Sequence, residues 1–182
     1  MPNWCNNNIT ISGPTETIKQ LWEDAQTAHV FTVEVDGEEI TKREFGLLNA
    51  MAPIGDWDYG TAVDTWGTKW DISDEGLEFI DNGDGTATID GWFDSAWAPP
   101  IGAYEKFLDD MDNCEISASY YEPGMDFAGF WHGMEEHLDD LHEEYKLPAD
   151  ERSDLYNRLD EEWGLSEQFE MWDEDEEMLE DE

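Results

Sequence analysis

The chain has 182 residues, with 48 Asp and Glu against 8 Lys and Arg, a formal net charge of −40. Five Lys and three Arg are too few to neutralise a phosphate backbone, which excludes a free-standing nucleic-acid binder. Hydrophobic residues at 39%, aromatics at 13% and ten Trp supply more core-forming material than a disordered polyanion keeps.

Asn8 to Ser12 reads as a short strand that ends at Gly13-Pro14. Ile18, Leu21, Trp22 and Ala25 then recur on one helical face, with Glu16 in the first turn. Thr32 to Val35 and Glu38 to Thr41 flank Asp36-Gly37, a hairpin signal. Phe45 to Met51 is mostly apolar and closes at Pro53 and Gly55, which predicts a buried strand. Asp56 to Gly67 has no periodicity and predicts a long surface loop. Leu77 to Ile80 and Thr86 to Phe93 flank Asn82-Gly83-Asp84-Gly85 and predict a second hairpin, which Trp97-Ala98-Pro99-Pro100 stops. Ile101, Tyr104, Phe107, Leu108 and Met111 are spaced as in a helix, Glu115 to Tyr121 alternates as a strand, and Met125 to Trp131 returns after Glu122-Pro123-Gly124. The order is that of an α+β protein of the split β-α-β type.

After Gly133 the composition changes. Residues 131 to 182 carry 22 acidic and three basic residues, residues 1 to 130 carry 26 and five, so the tail has more than twice the charge density. Met134, Leu138, Leu141 and Tyr145 predict an amphipathic helix. Leu155, Leu159 and Trp163 predict a second, and Ser166 is placed to cap a third that carries Phe169, Trp172 and Leu179. Two domains follow from this reading: an α+β domain over 1–131 and an acidic helical extension over 132–182.

Little in the chain points to chemistry. His132, His137 and His142 stand five apart, about 500° round a helix and so roughly 140° from one another, which is wrong for a metal site. Gly occupies the ligand positions that a calcium loop would need in Asp81-Asn82-Gly83-Asp84-Gly85. There is no nucleophile elbow and no phosphate-binding loop, and 48 carboxylates make any single pair uninformative. No catalytic residue, metal or cofactor is expected. Cys5 and Cys114 are too few for a disulfide scaffold and read as reduced, buried thiols. No apolar stretch approaches the roughly 20 residues that cross a bilayer, and the start Met-Pro-Asn-Trp-Cys lacks a basic region followed by an apolar one, so a cytoplasmic protein without membrane attachment is expected. Trp22, Trp70, Trp92, Trp97 and Trp131 fall in or beside elements and are expected in the core, whereas Trp57, Trp66 and Trp172 are expected at an interface.

Asn3-Trp4-Cys5 with Asn7, Trp66-Gly67-Thr68-Lys69-Trp70-Asp71, the block from Phe93 to Pro100, and Tyr120-Tyr121-Glu122-Pro123-Gly124 through Phe127, Gly129 and Trp131 together resemble the YubB-like family of phage and plasmid proteins. The resemblance covers roughly residues 1 to 131. It implies a ferredoxin-like antiparallel sheet with two packed helices, and a setting of mobile elements in conflict with host defence. It transfers no catalytic residue. In a ferredoxin-like sheet Cys5 and Cys114 would sit at opposite ends of neighbouring strands, out of disulfide reach.

The charge points to function. A folded chain of 21.0 kDa exposes roughly 9,000 Å². The charge of −40 then approaches half the density of duplex DNA, which carries one charge per about 1.7 Å of axis. Like charges three or four apart weaken a helix by about 0.2–0.5 kcal/mol per pair, a cost that suggests use. The expected function is a DNA-mimic inhibitor from a phage or other mobile element. It would block the basic groove of a nucleic-acid-binding host defence protein of restriction or CRISPR type, acting in the host cytoplasm. The expected surface is Glu135, Glu136, Asp139, Asp140, Glu143 and Glu144 on the first tail helix, with Asp160, Glu161, Glu162, Asp173, Glu174, Asp175, Glu176 and Glu177. The competing reading is an acidic accessory or structural protein whose charge serves solubility or salt adaptation; an enzyme on the same scaffold and a virion module are further classes.

Overall fold

Alternation sets the first element: Cys5, Asn7, Ile9 and Ile11 are buried, while Asn6, Asn8 and Thr10 between them are half-buried on the opposite face. The computed structural model describes residues 3–27, 30–35, 38–43 and 46–180, with side chains over 3–27 and 46–173. In chain order the elements are β1 (Trp4–Pro14), α1 (Thr15–Thr27), β2 (Val30–Val35), β3 (Glu38–Arg43), α2 (Leu47–Met51), α3 (Tyr59–Trp66), β4 (Leu77–Asp81), β5 (Thr86–Ala96), α4 (Ile101–Asp110), β6 (Glu115–Glu122), β7 (Phe127–Trp131), β8 (Glu135–Asp139), α5 (Leu141–Tyr145), α6 (Asp154–Trp163) and α7 (Leu165–Glu180). The protein is α+β. Six antiparallel strands lie in the order β4-β5-β1-β6-β7-β8, and β2 and β3 form a separate hairpin.

One face of the sheet carries the larger core. Ile9, Ile11, Ile89 and Ile116 meet Ile18, Leu21 and Ala25 of α1, Ala103, Tyr104 and Phe107 of α4, and Leu47, Leu48, Ala62 and Trp66 of α2 and α3. On the other face, over β6, β7 and β8, Tyr121 and Ala128 pack on Leu141, Tyr156, Leu159, Leu165 and Phe169, and Glu162 and Trp163 of α6 reach as far as Asn8 and Trp92. The expected boundary after residue 131 thus falls inside one sheet, between the paired strands β7 and β8.

Four expectations are corrected. Leu47–Met51 is a helix rather than a strand, because Asp71 reaches across to accept the N–H groups of Gly46, Leu48 and Asn49 at its N-terminus; Phe45 lies outside the described residues. Within the expected loop, Asp58 accepts the Thr61 N–H at 2.8 Å, Gly67 closes the other end at φ 88°, and Ala62 and Trp66 turn inward, which makes α3. Residues 134 to 145 form a strand and a short helix: β8 pairs along β7, and Glu136 and Leu138 turn to α6 while Glu135, His137 and Asp139 turn away, a period of two. Asp140, at φ 55°, makes the break into α5. Ser166 is not a cap; α6 ends at Gly164 (φ 64°), α7 starts at Leu165, and the Ser166 N–H and hydroxyl are held by Asp160 at 2.6 and 2.7 Å.

The β1/β6 register pairs Asn6 with Tyr121 and Ser12 with Glu115, so Cys5 and Cys114 lie past opposite ends of that ladder. Both are free and buried, and burial pushes the Cys5 thiol up to about 12.

Candidate functional site

The carboxylates expected to act together are divided by the fold. On β8, Glu135 and Asp139 share one face and Glu136 the other. Tyr120 crosses above Gly129 to reach β8, where its hydroxyl donates to Glu135 at 2.6 Å and lies 2.9 Å from His137 Nδ1. A Cβ on Gly129 would stand 2.3 Å from that hydroxyl, so only glycine permits the crossing. His137 Nε2 lies 3.0 Å from Asp139. Glu136 accepts both arms of Arg158 at 2.9 Å, which holds its carboxyl below the ordinary value. Asp140 is exposed at the start of α5 and caps nothing with its side chain.

Further along, Glu143 accepts from Lys146 at 2.9 Å and Glu144 from the Ser153 N–H at 2.6 Å. On α6, Asp160 holds Ser166, Glu162 accepts from Ser119 at 2.8 Å and Asn8 at 3.4 Å, and Glu161 points to solvent. Asp173 on α7 lies 3.0 Å from His142 Nε2. Glu174, Asp175, Glu176 and Glu177 continue α7, their side chains outside the described residues. Among the described side chains, the structure therefore brings no single carboxylate ladder together. Several of these groups are tethers of the fold, and two face a cation. Among the described residues no three His, Cys, Asp or Glu converge as metal ligands.

A different feature is assembled from residues far apart in sequence. Where α5 to α7 leave the sheet uncovered, a groove of about 750 Å³ runs between α6 and the segment 70–76, with Trp4, Trp70, Trp92 and Trp163 on its walls and Asn6 and Asp94 on its strands. Trp4 meets Trp70 at 5.9 Å and Trp92 meets Trp163 edge-on at 5.9 Å. Trp92 is 56% exposed and Trp4 46%. Asp94 accepts from Asn6 at 2.8 Å across β1 and β5. The alternation of β5 explains the outward ring: Ala87, Ile89, Phe93 and Ser95 turn to the core, so Trp92 and Asp94 share the other face. Beside the groove, Lys69 Nζ sits 4.5 Å from the Trp70 ring centre and 5.2 Å from that of Trp97.

Several tryptophans therefore change role. Trp66, expected at an interface, is fully buried and donates to the Ala52 carbonyl at 2.8 Å. Trp70, Trp92 and Trp97, expected in the core, are exposed. Strand parity was legible for Trp92, since its neighbours Ile89 and Phe93 claim the inward positions; nothing local marks Trp4 or Trp163 as its companions.

Compared with family models, curated proteins and solved structures, the chain matches none.

Proposed function

We propose that the protein is a DNA mimic: an inhibitor carried by a phage or other mobile element that occupies the basic nucleic-acid groove of a host defence protein of restriction or CRISPR type. The observation that carries this reading is charge density. A surface of 10750 Å² and a net charge of −40 leave one unopposed charge per about 270 Å², roughly two-fifths of the density of duplex DNA. The mechanism is electrostatic and steric competition, with fast and salt-sensitive association and no bond-making step.

The sheet order supports a ferredoxin-like reading of the centre. β4-β5-β1-β6, with α1 between β1 and β4 and α4 between β5 and β6, has the order and antiparallel sense of that unit. In this reading β2, β3, α2 and α3 are an insertion, and β7 and β8 extend one edge. The family resemblance is read with it. Trp66, Thr68, Asp71 and Ser95 in its motifs have structural partners, Thr68 donating to the Ala96 carbonyl and Ser95 to that of Ala98. The site of action in this reading is the host cytoplasm; among the described residues no helix is long and apolar enough to cross a membrane.

The test is a pull-down from host lysate at low salt, with stepwise salt elution and mass spectrometry, followed by competition with duplex DNA. One dominant nucleic-acid-binding protein that DNA displaces is the expected result, and joint reversal of Asp139, Asp140 and Glu161 to Lys should weaken its capture at least tenfold. A diffuse set of basic proteins, together with a chain that unfolds in low salt, would favour salt adaptation and reject the inhibitor.

A further inference from the structure

We propose that the four-tryptophan groove on the open half of the sheet is a receptor for an extended arginine- or lysine-rich segment of a partner protein. The proposal rests on the reading that the partner is basic and deepens it by naming where the partner's chain is anchored.

Three observations select a cationic occupant. First, the groove offers ring faces beside carboxylates: Trp4, Trp70, Trp92 and Trp163 stand around Asp94 and the exposed Glu75, and among the described residues no Lys, Arg or His lines it. Exposed aromatic rings hold guanidinium and ammonium groups by cation–π attraction, and a nearby carboxylate adds a charge-assisted hydrogen bond. Second, the chain uses this surface for a cation already. Lys69 is stacked over Trp70 at 4.5 Å, with Trp97 at 5.2 Å and Tyr59 at 6.0 Å, and Trp70 in turn contacts Trp4 on the groove wall. Third, the floor is polar: Asn6 and Asp94 occupy outward positions of β1 and β5 within the groove and are bound to one another at 2.8 Å. An apolar helix would desolvate this floor without replacing its hydrogen bonds, whereas an extended basic peptide brings donors to it.

The net charge of −40 steers such a segment to the protein, but cannot choose a place on it. The tryptophans supply the place, because an Arg side chain is gripped on its flat face only where rings stand open. Trp92, the most exposed of the four, is the expected anchor.

The test is an NMR titration of the full chain with ¹⁵N-labelled indoles, using an acetylated hexa-arginine peptide in 50 mM salt. The Trp92 and Trp4 indole signals should move saturably. Trp92→Ala, which removes no charge, should weaken binding about tenfold, the effect of one well-seated cation–π contact. Trp92→Phe should fall between, which guards against a merely structural effect, and Asp94→Asn should weaken binding more than Glu161→Gln, an equal charge loss on exposed α6. Equal losses in the two charge variants, an unchanged affinity in Trp92→Ala, shifts confined to tail residues, saturation by a neutral oligosaccharide instead, or self-association through the groove would each overturn the proposal. The peptide assay needs no host target. Peptide binding in the groove with an empty pull-down rejects the DNA mimic alone, and a captured target with an inert groove rejects the groove alone.

Discussion

Removing the side chain of Asp71 should unlatch the segment that carries Trp70. Its carboxylate accepts four backbone N–H groups, from Gly46, Leu48 and Ile72 at 2.7 Å and Asn49 at 2.9 Å. Three of these belong to the start of α2, whose N-cap Gly46 has no side chain to serve them. Asp71→Ala orphans all four, and each unsatisfied buried donor costs about 1–3 kcal/mol. Water reaches part of this half-buried site, so the total should be about 3–5 kcal/mol, a large fraction of the 5–15 kcal/mol that holds a typical domain. For 182 residues this lowers Tm by roughly 6–20 °C, at about 2–4 °C per kcal/mol. Asp71→Asn keeps one acceptor oxygen and should lose about half as much. The pH dependence has a definite sign. Burial raises the folded carboxyl above its ordinary 3.8, the four N–H bonds offsetting only part of the desolvation of the charge. The contribution of a group raised on folding is complete below the unfolded value and lost as pH climbs through the folded one. The stability gap between wild type and Asp71→Ala, read by urea unfolding, should therefore be widest near pH 3.5 and narrow toward neutrality. A loss below about 1 kcal/mol would refute the latch, and a gap that widens with pH would refute the raised folded carboxyl.

Trp66→Ala should cost about 3–5 kcal/mol in a denaturant titration, since it empties the core and leaves the Ala52 carbonyl without its indole donor; a loss under 1 kcal/mol would contradict its burial. Cys5, whose thiol is pushed up to about 12, and Cys114, also raised by burial, should resist a thiol reagent at pH 8 until the chain unfolds. Rapid labelling of the native protein would reject this. Arg152 donates to the Leu147 and Tyr145 carbonyls and to Ser166, and lies over the Tyr145 and Tyr156 rings, so Arg152→Ala should lose about 2–3 kcal/mol. Arg158→Ala removes the half-exposed pair with Glu136 and the contact over the Phe130 ring and should lose clearly less than Arg152→Ala, so equal losses would show that the two arginines had been ranked wrongly.

What the sequence showed and hid divides by the range of the cause. Strands with one inward and one outward face, β1, β5 and β6, were legible because the alternation is in the residues themselves. Helices α1, α4 and α6 carried their own stripes. The failures share one origin, control from a distance. Five residues cannot sustain a helix by propensity, and α2 exists because Asp71, more than twenty positions away, caps it. β8 has a helical spacing of apolar residues, yet the open edge of β7 recruited it as a strand, and Met134, counted in that stripe, is exposed. For the candidate site, acidity was legible and geometry was not: carboxylates adjacent in sequence ended on opposite faces of β8, while Trp4, Trp70, Trp92 and Trp163 met from four separate segments.

How so acidic a chain folds also bears on what it presents outward. Its carboxylates serve as acceptors wherever backbone or hydroxyl donors need them: Asp71 at α2, Asp58 at α3, Glu122 at the Gly124 and Met125 N–H groups, Asp160 at α7. This satisfies donors without calling on cations. The six cations with described side chains all have internal partners: Lys19 and Lys106 in pairs four residues apart, Lys146 and Arg158 on Glu143 and Glu136, Lys69 and Arg152 on aromatic rings. Such pairing cancels the nearby field without altering the far one, which still reflects −40. On the proposed reading, a basic protein would be attracted over about a Debye length, roughly 10 Å at 0.1 M salt, and among the described side chains the one cation beside the groove is Lys69, already stacked on Trp70. In this proposal attraction at range and selection at contact would be carried by different residues, the first by the acidic exterior as a whole and the second by the rings around Asp94.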